Sequence, residues 1–304
     1  MGSKTQARMK WRFGLCALAG VLAVPGWISP VDGLAENQQQ PGGIQSPAAV
    51  APQRDAAVEA AEALIGRAMF LRGCYGGGQL AFDALGHVQG EPRQVDWTLA
   101  GVNVEKVSRR GVDAGELELD GVRVAMRYNP DQHVFERHPL KDEKLRIVLA
   151  VNADARGLQG ALATMFAVGI DPALQRSMPP YWRHYFSTAL KWPDDELTGQ
   201  TVIAANAPPG NGVEMPVLEK KLEPEFTAEA RQDRVKGVVQ MKITVGTDGV
   251  PRRIAIKQPL GYGLDARVVE TVARYRFRPG MKDGKPVAVE MIVNQTFDYY
   301  PPGH

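Results

Sequence analysis

Apolar and polar positions change period several times along this chain, and each change marks an element. Phe13 to Ile28 is an uncharged, mostly apolar run behind a basic start at Lys4, Arg8, Lys10 and Arg12. Residues 36–54 lose periodicity and are rich in Gln, Pro, Gly and Ala, the composition of a linker. From Asp55 to Leu71 apolar residues return at helical spacing (Ala57, Ala60, Ala61, Leu64, Ile65, Ala68, Met69), which predicts a helix ended by Gly73. The period then becomes two: Val95, Trp97 and Leu99, then Val102 and Val104, then Leu117 and Leu119, then Val122, Val124 and Met126. The last two runs flank Asp120-Gly121, the pattern of a hairpin turn. With the apolar run from Leu145 to Val151, this predicts a mainly antiparallel β domain. Helices are predicted at 157–168 and from Tyr181 to Lys191, where Trp182, Tyr185, Phe186 and Leu190 form a stripe that reads as core.

Residues 193–216 read as a Pro/Gly linker carrying Ala207-Pro208-Pro209-Gly210-Asn211-Gly212. Periodicity resumes at Val217. A short helix from Phe226 to Arg234 precedes an alternating strand over Val238–Val245. Thr247-Asp248-Gly249 supplies a turn, and Ile254 and Ile256 carry the return strand. A helix from Asp265 to Arg274 and a last strand from Val287 to Phe297 complete the order α-β-β-α-β. The expected fold class is α+β: a three-stranded antiparallel sheet with two helices at the C-terminal end, preceded by a mainly antiparallel β domain with flanking helices. The expected organisation is a signal peptide or anchor at 1–35, a linker at 36–54, an α+β domain at 55–192, a second linker at 193–216 and a compact domain at 217–304.

Composition narrows the function. Among 304 residues, 36 basic and 34 acidic side chains leave a formal net charge of +2, which gives no reason to expect a nucleic-acid partner. Two cysteines exclude a disulfide scaffold. The run from Phe13 to Ile28 fits an export signal and is short against the ~20 residues of a bilayer-crossing helix. Gly33-Leu34-Ala35 offers small residues for cleavage before Glu36; the alternative is an uncleaved anchor through residues 13–28. Nucleotide-binding loops and hydrolase or metalloprotease signatures are missing. His133 and His138 flank Glu136 at a spacing poor for a metal. The acidic run Asp194-Asp195-Glu196 reads as solvated and Gly76-Gly77-Gly78 as a plain turn. The expectation is therefore no catalytic residue, no metal and no cofactor.

One set of motifs is specific. Pro224-Glu225-Phe226 opens the C-terminal segment, Gly237-Val238-Val239 leads its first strand, and Asp248-Gly249 marks its turn. Gly261-Tyr262-Gly263-Leu264-Asp265 begins its second helix, Tyr275-Arg276-Phe277-Arg278-Pro279-Gly280 ends it, and Asp283-Gly284-Lys285-Pro286-Val287 enters the last strand. In motif and order this segment resembles the C-terminal domain of TonB-family proteins. It departs at Thr227, where the family often has Pro after the first aromatic.

The resemblance implies a periplasmic protein whose last strand pairs with an extended segment (the TonB box) of an outer-membrane TonB-dependent receptor. It also implies a link to energy-coupled nutrient transport, with inner-membrane motor proteins as further partners. The residues agree on structure. Gly237, Gly249, Leu264, Asp265, Tyr275, Phe277 and Pro279 form the framework, with Asp265 expected to cap a helix start, Phe277 to anchor its end and Pro279 to block continuation. Val287 to Phe297 has no Pro or Gly and only Glu290 as a charge, so it lacks the usual guards of an edge strand. Val287, Val289, Glu290, Met291, Val293 and Asn294 are the expected partner-binding residues, by β-augmentation. A cap from the chain's own tail, or from a second copy in a homodimer, is the alternative use of that edge.

Reach argues for a second function. Residues 36–54 span at most about 65 Å fully extended and about 25 Å as a coil. No Pro-Glu or Pro-Lys tract extends them, and Phe13 to Ile28 has no ionisable residue. A non-transducing periplasmic scaffold or protein–protein interaction module is therefore the alternative.

Overall fold

The computed structural model describes residues 55–110, 115–151, 155–204 and 212–298. The expected signal or anchor at 1–35 and the linker at 36–54 lie outside the described residues. Among the described residues no helix is long and apolar enough to cross a membrane.

The N-terminal half contains helices α1 (Ala56–Glu62), α2 (Ala155–Met165), α3 (Pro172–Ser177) and α4 (Pro180–Phe186). Its strands are β1 (Met69–Leu71), β2 (Gln79–Phe82), β3 (Gly101–Arg110), β4 (Glu116–Asn129), β5 (Val134–Ala150) and β6 (Phe166–Val168). They form one sheet in the order β2-β5-β4-β3-β1-β6, antiparallel except for β2 against β5.

Several local expectations need correction here: the helix expected over 157–168 ends at Met165, where β6 begins, and Trp97–Leu99 is a 3-10 turn and not part of a strand. Asp120-Gly121 is not a turn: both residues sit inside β4, paired with β3 on one side and β5 on the other. A Cβ on Gly121 would stand 2.0 Å from the Asn103 carbonyl oxygen, so the glycine permits close strand approach beside a bulge in β3. Met69–Leu71 is a strand buried on both faces, not the end of a helix; a short, wholly apolar run fits either period. The helix expected to reach Lys191 stops at Phe186. The Gly76-Gly77-Gly78 turn is held from beneath by buried Arg123, whose guanidinium donates to the carbonyls of Tyr75 at 2.7 Å and Gly77 at 3.1 Å.

The C-terminal half adds β7 (Val202–Ala204), β8 (Val213–Glu214), β9 (Val217–Lys220), α5 (Ala228–Gln232), β10 (Gly237–Val245) and β11 (Pro251–Gln258). Then come α6 (Leu264–Val272), β12 (Arg276–Arg278), β13 (Gly280–Lys282) and β14 (Lys285–Phe297). The α-β-β-α-β order stands, with β10 central between β11 and β14, all antiparallel. The expected three-stranded sheet is extended: β13 and β8 continue it past the start of β14, and β7 lies parallel to β14. Two strands thus fall within the expected linker. Val202-Ile203-Ala204 is too short to show alternation, yet Val and Ile suit a strand.

Packing joins the halves. Trp97, Met126 and Trp182 share one buried cluster with Met241, Tyr262, Val268 and Phe297. Main chain crosses as well: Tyr128 N–H donates to the Leu260 carbonyl and Tyr262 N–H to the Met126 carbonyl, both at 3.0 Å. This approach needs the left-handed backbone of Gly261 (φ +94°), where a Cβ would stand 2.0 Å from the Met126 oxygen.

A candidate partner-binding edge on the last strand

β14 is built as a two-faced ribbon. Val289, Gln295 and Phe297 are buried, and Met291 and Val293 pack partly buried against the same core. Ile292 and Asn294 point the other way and are exposed. This period of two follows from the pleat. One edge of β14 is occupied from Val289 to its end: residues 289–297 pair in register with β10, from Val289 opposite Val245 to Phe297 opposite Gly237. Its other edge is occupied only at the start. Val287 faces Gly280 of β13, and Ala288, Val289 and Glu290 face Val202, Ile203 and Ala204 of β7. From Met291 to Phe297 no strand among the described residues pairs with that edge.

The expected partner-binding residues therefore divide. Val289 and Glu290 already have neighbours on both sides, and Val287 pairs with Gly280 of β13. Met291, Val293 and Asn294 lie on the open stretch. Glu290 also accepts an ion pair from Lys242 at 3.0 Å, and Asn294 accepts from the Gln240 amide at 3.1 Å. Both contacts run toward β10, on the side away from the outer edge.

The framework residues hold this edge in place. Buried Tyr275 donates its hydroxyl to the Leu222 carbonyl at 3.0 Å and lies 3.4 Å from the Gln295 amide oxygen. Phe277 is buried in β12 opposite Leu218, with its ring 6.2 Å from that of Tyr275. The Phe277 N–H donates to the Gly249 carbonyl at 3.0 Å, and a Cβ on Gly249 would stand 1.9 Å from the Phe277 oxygen. The β10–β11 turn thus sits directly on the segment leading to β14. Pro279 falls between β12 and β13, where a missing N–H costs no ladder bond.

Asp265 corrects its expected role. It is fully buried inside α6 and accepts from the loop ahead of the helix, from Leu260 N–H at 2.9 Å and Gly261 N–H at 2.7 Å. Three successive residues of positive φ, Gly261, Tyr262 and Gly263, fold that loop over the carboxylate. Burial first, and the field of Asp96 second, push the Asp265 carboxyl up to about 8. Asp96 is raised by its own burial and accepts from Thr98 and from the Trp182 indole.

The acidic run before β7 is also not simply solvated. Asp195 pairs with Arg253 at 2.7 Å and Glu196 with Arg252 at 2.9 Å, clamping residues 195–196 to β11. The β7 occupancy, the crossing at residues 260–263 and these clamps escape a reading of the sequence. Only the Val-Ile-Ala triplet gave a local signal.

Comparison with known proteins bears on the C-terminal half. The family model for the Gram-negative bacterial TonB protein C-terminal matches residues 223–299. A solution NMR structure of the Pseudomonas aeruginosa TonB CTD is similar at 20% identity and a TM-score of 0.23, covering 33% of this chain and 95% of that one. No curated protein matches the chain. The motifs from Pro224 to Val287, the α-β-β-α-β order and the family match coincide on one segment: over residues 223–299 this protein carries a TonB C-terminal domain.

Proposed function

We propose that this is an exported, periplasmic protein whose last strand takes up an extended segment of an outer-membrane TonB-dependent receptor, in the service of energy-coupled transport. The observation that supports this reading is the edge of β14 from Met291 to Phe297. It is bare of any pairing strand among the described residues, free of Pro and Gly, and backed by β10 along its whole length. An added strand would gain main-chain hydrogen bonds there, while the alternating side chains select its sequence. The reaction is one of protein binding, with no catalytic step.

A cysteine at the exposed Asn294 position tests the reading. Cys74 will not interfere, because burial pushes its thiol up to about 12 and suppresses the reactive thiolate. In cells, Asn294→Cys should form a disulfide with a single cysteine placed in the N-terminal extended segment of a cognate receptor. Absence of the crosslink, with a cysteine on β11 capturing the receptor instead, would move the site.

One observation favours the second reading, a non-transducing interaction module. The TonB domain shares a buried cluster with the N-terminal half and exchanges main-chain hydrogen bonds with β4, accepting one from Tyr128 and donating one to Met126. A domain seated in this way is positioned by the rest of the chain and is not swung freely on a linker.

A further inference from the structure

We infer that Val202–Ala204 is a tethered resident strand that occupies the partner edge of β14 and must leave before a partner can use the full strand. The inference rests on the β-augmentation reading and adds a regulatory element to it. β7 pairs in parallel with Ala288–Glu290, directly before the stretch that stays open from Met291 onward. It covers part of the outer edge of β14, the longest strand of the C-terminal half.

Its hold is weak by construction. β7 is three residues long, Val202 and Ile203 are only half-buried, Ala204 is exposed, and none of the three belongs to a core cluster. Backbone pairing over so short a segment is marginal by itself. What keeps it local is the chain on either side. Upstream, Asp195 and Glu196 are clamped to Arg253 and Arg252, and Leu197 is buried. Downstream, Val213 and Glu214 pair with β13. A strand released between two such anchors stays close to the edge it left, at an effective concentration near the millimolar range of short linkers. Segments that open in binding come from the low-stability end of a fold, and β7 is such a segment between two fixed points.

Two measurements on the full chain decide this. The first is amide hydrogen exchange. Val202–Ala204 should exchange by local opening, well before the β10–β14 ladder; exchange at the global rate would make β7 a fixed part of the fold and overturn the inference. The second uses a synthetic peptide with the sequence of residues 199–207 at millimolar concentration. Ile203→Pro, or the paired Val202→Ser and Ile203→Ser if the proline variant does not fold, vacates the edge. The peptide should then shift the amides of Ala288–Glu290, with affinity at least about tenfold above that for the unmodified chain. Equal binding to both chains, or none to either, overturns the inference. A receptor segment that still binds the unmodified chain would leave the partner-binding reading standing alone.

Discussion

The backbone N–H of Gly263 donates to the Thr98 hydroxyl at 2.8 Å, and that hydroxyl donates in turn to the Asp96 carboxylate at 2.6 Å. Gly263 begins the second helix of the TonB domain, whereas Thr98 lies in a short 3-10 turn of the N-terminal half and is fully buried. The pair therefore ties the two halves through a buried N–H and hydroxyl. Thr98→Val keeps the volume and removes both partners. It should cost about 1–3 kcal/mol, the desolvation penalty of groups left unpaired. The fluorescence of buried Trp97 and Trp182 should report this as a lower urea midpoint at unchanged slope. An unchanged midpoint would show that the relay contributes nothing.

Stability should fall as pH rises across the neutral range. Asp265 binds its proton up to about pH 8 in the folded chain, whereas an unfolded Asp releases it near 3.9. Between those values the native state holds more protons than the unfolded one, so the unfolding free energy declines with pH. Asp248 acts in the opposite sense. Its carboxyl is lowered to about 2, chiefly by the Arg252 side chain, so its contribution is lost as pH falls from about 4 toward 2. From these two groups a stability maximum at about pH 4 is expected, with the alkaline limb flattened in Asp265→Asn. Urea midpoints measured from pH 4 to 9 on both chains check this; a wild-type midpoint that rises toward pH 8 would contradict it.

Phe277→Ala should destabilise the chain by about 3–5 kcal/mol, since the ring is 5% exposed and packs by Tyr275 and Leu218. An unchanged urea midpoint would remove Phe277 from the framework.

Gly249→Ala tests the seating of the β10–β11 turn. Its φ is +75°, and the added Cβ would meet the Phe277 carbonyl oxygen at 1.9 Å. Left-handed strain alone costs about 1–2 kcal/mol, and relieving the clash must move β12. A loss above about 2 kcal/mol is expected by urea denaturation. Gly284→Ala has a similar φ of +75° and no atom within 4 Å, so it should show the strain without the clash.

How much of this was legible depends on the range of each interaction. The last strand could be read because Val287 to Phe297 carries its alternation locally, and the Asp248-Gly249 turn because strand runs flank it. Asp120-Gly121 looked the same in sequence, but its glycine answers to the Asn103 carbonyl of a neighbouring strand, which no local pattern encodes. Asp265 was placed correctly at a helix start, yet its acceptor role depends on three positive φ angles in the preceding loop. Asp195 and Glu196 read as solvated because their partners, Arg253 and Arg252, lie more than fifty residues away. The open edge was expected along the whole of β14. Its partial occupancy by Val202–Ala204 is a long-range pairing of a triplet too short to show a period.

The most direct test is a titration of the isotopically labelled full chain with a synthetic receptor N-terminal segment, followed by backbone amide NMR. The expected result is a set of shifts clustered at Met291–Phe297, with smaller changes at Ala288–Glu290 and Val202–Ala204 as the resident strand gives way. Shifts confined to Pro251–Gln258 on β11, with 288–297 unmoved, would contradict the assignment of β14 as the partner-binding edge.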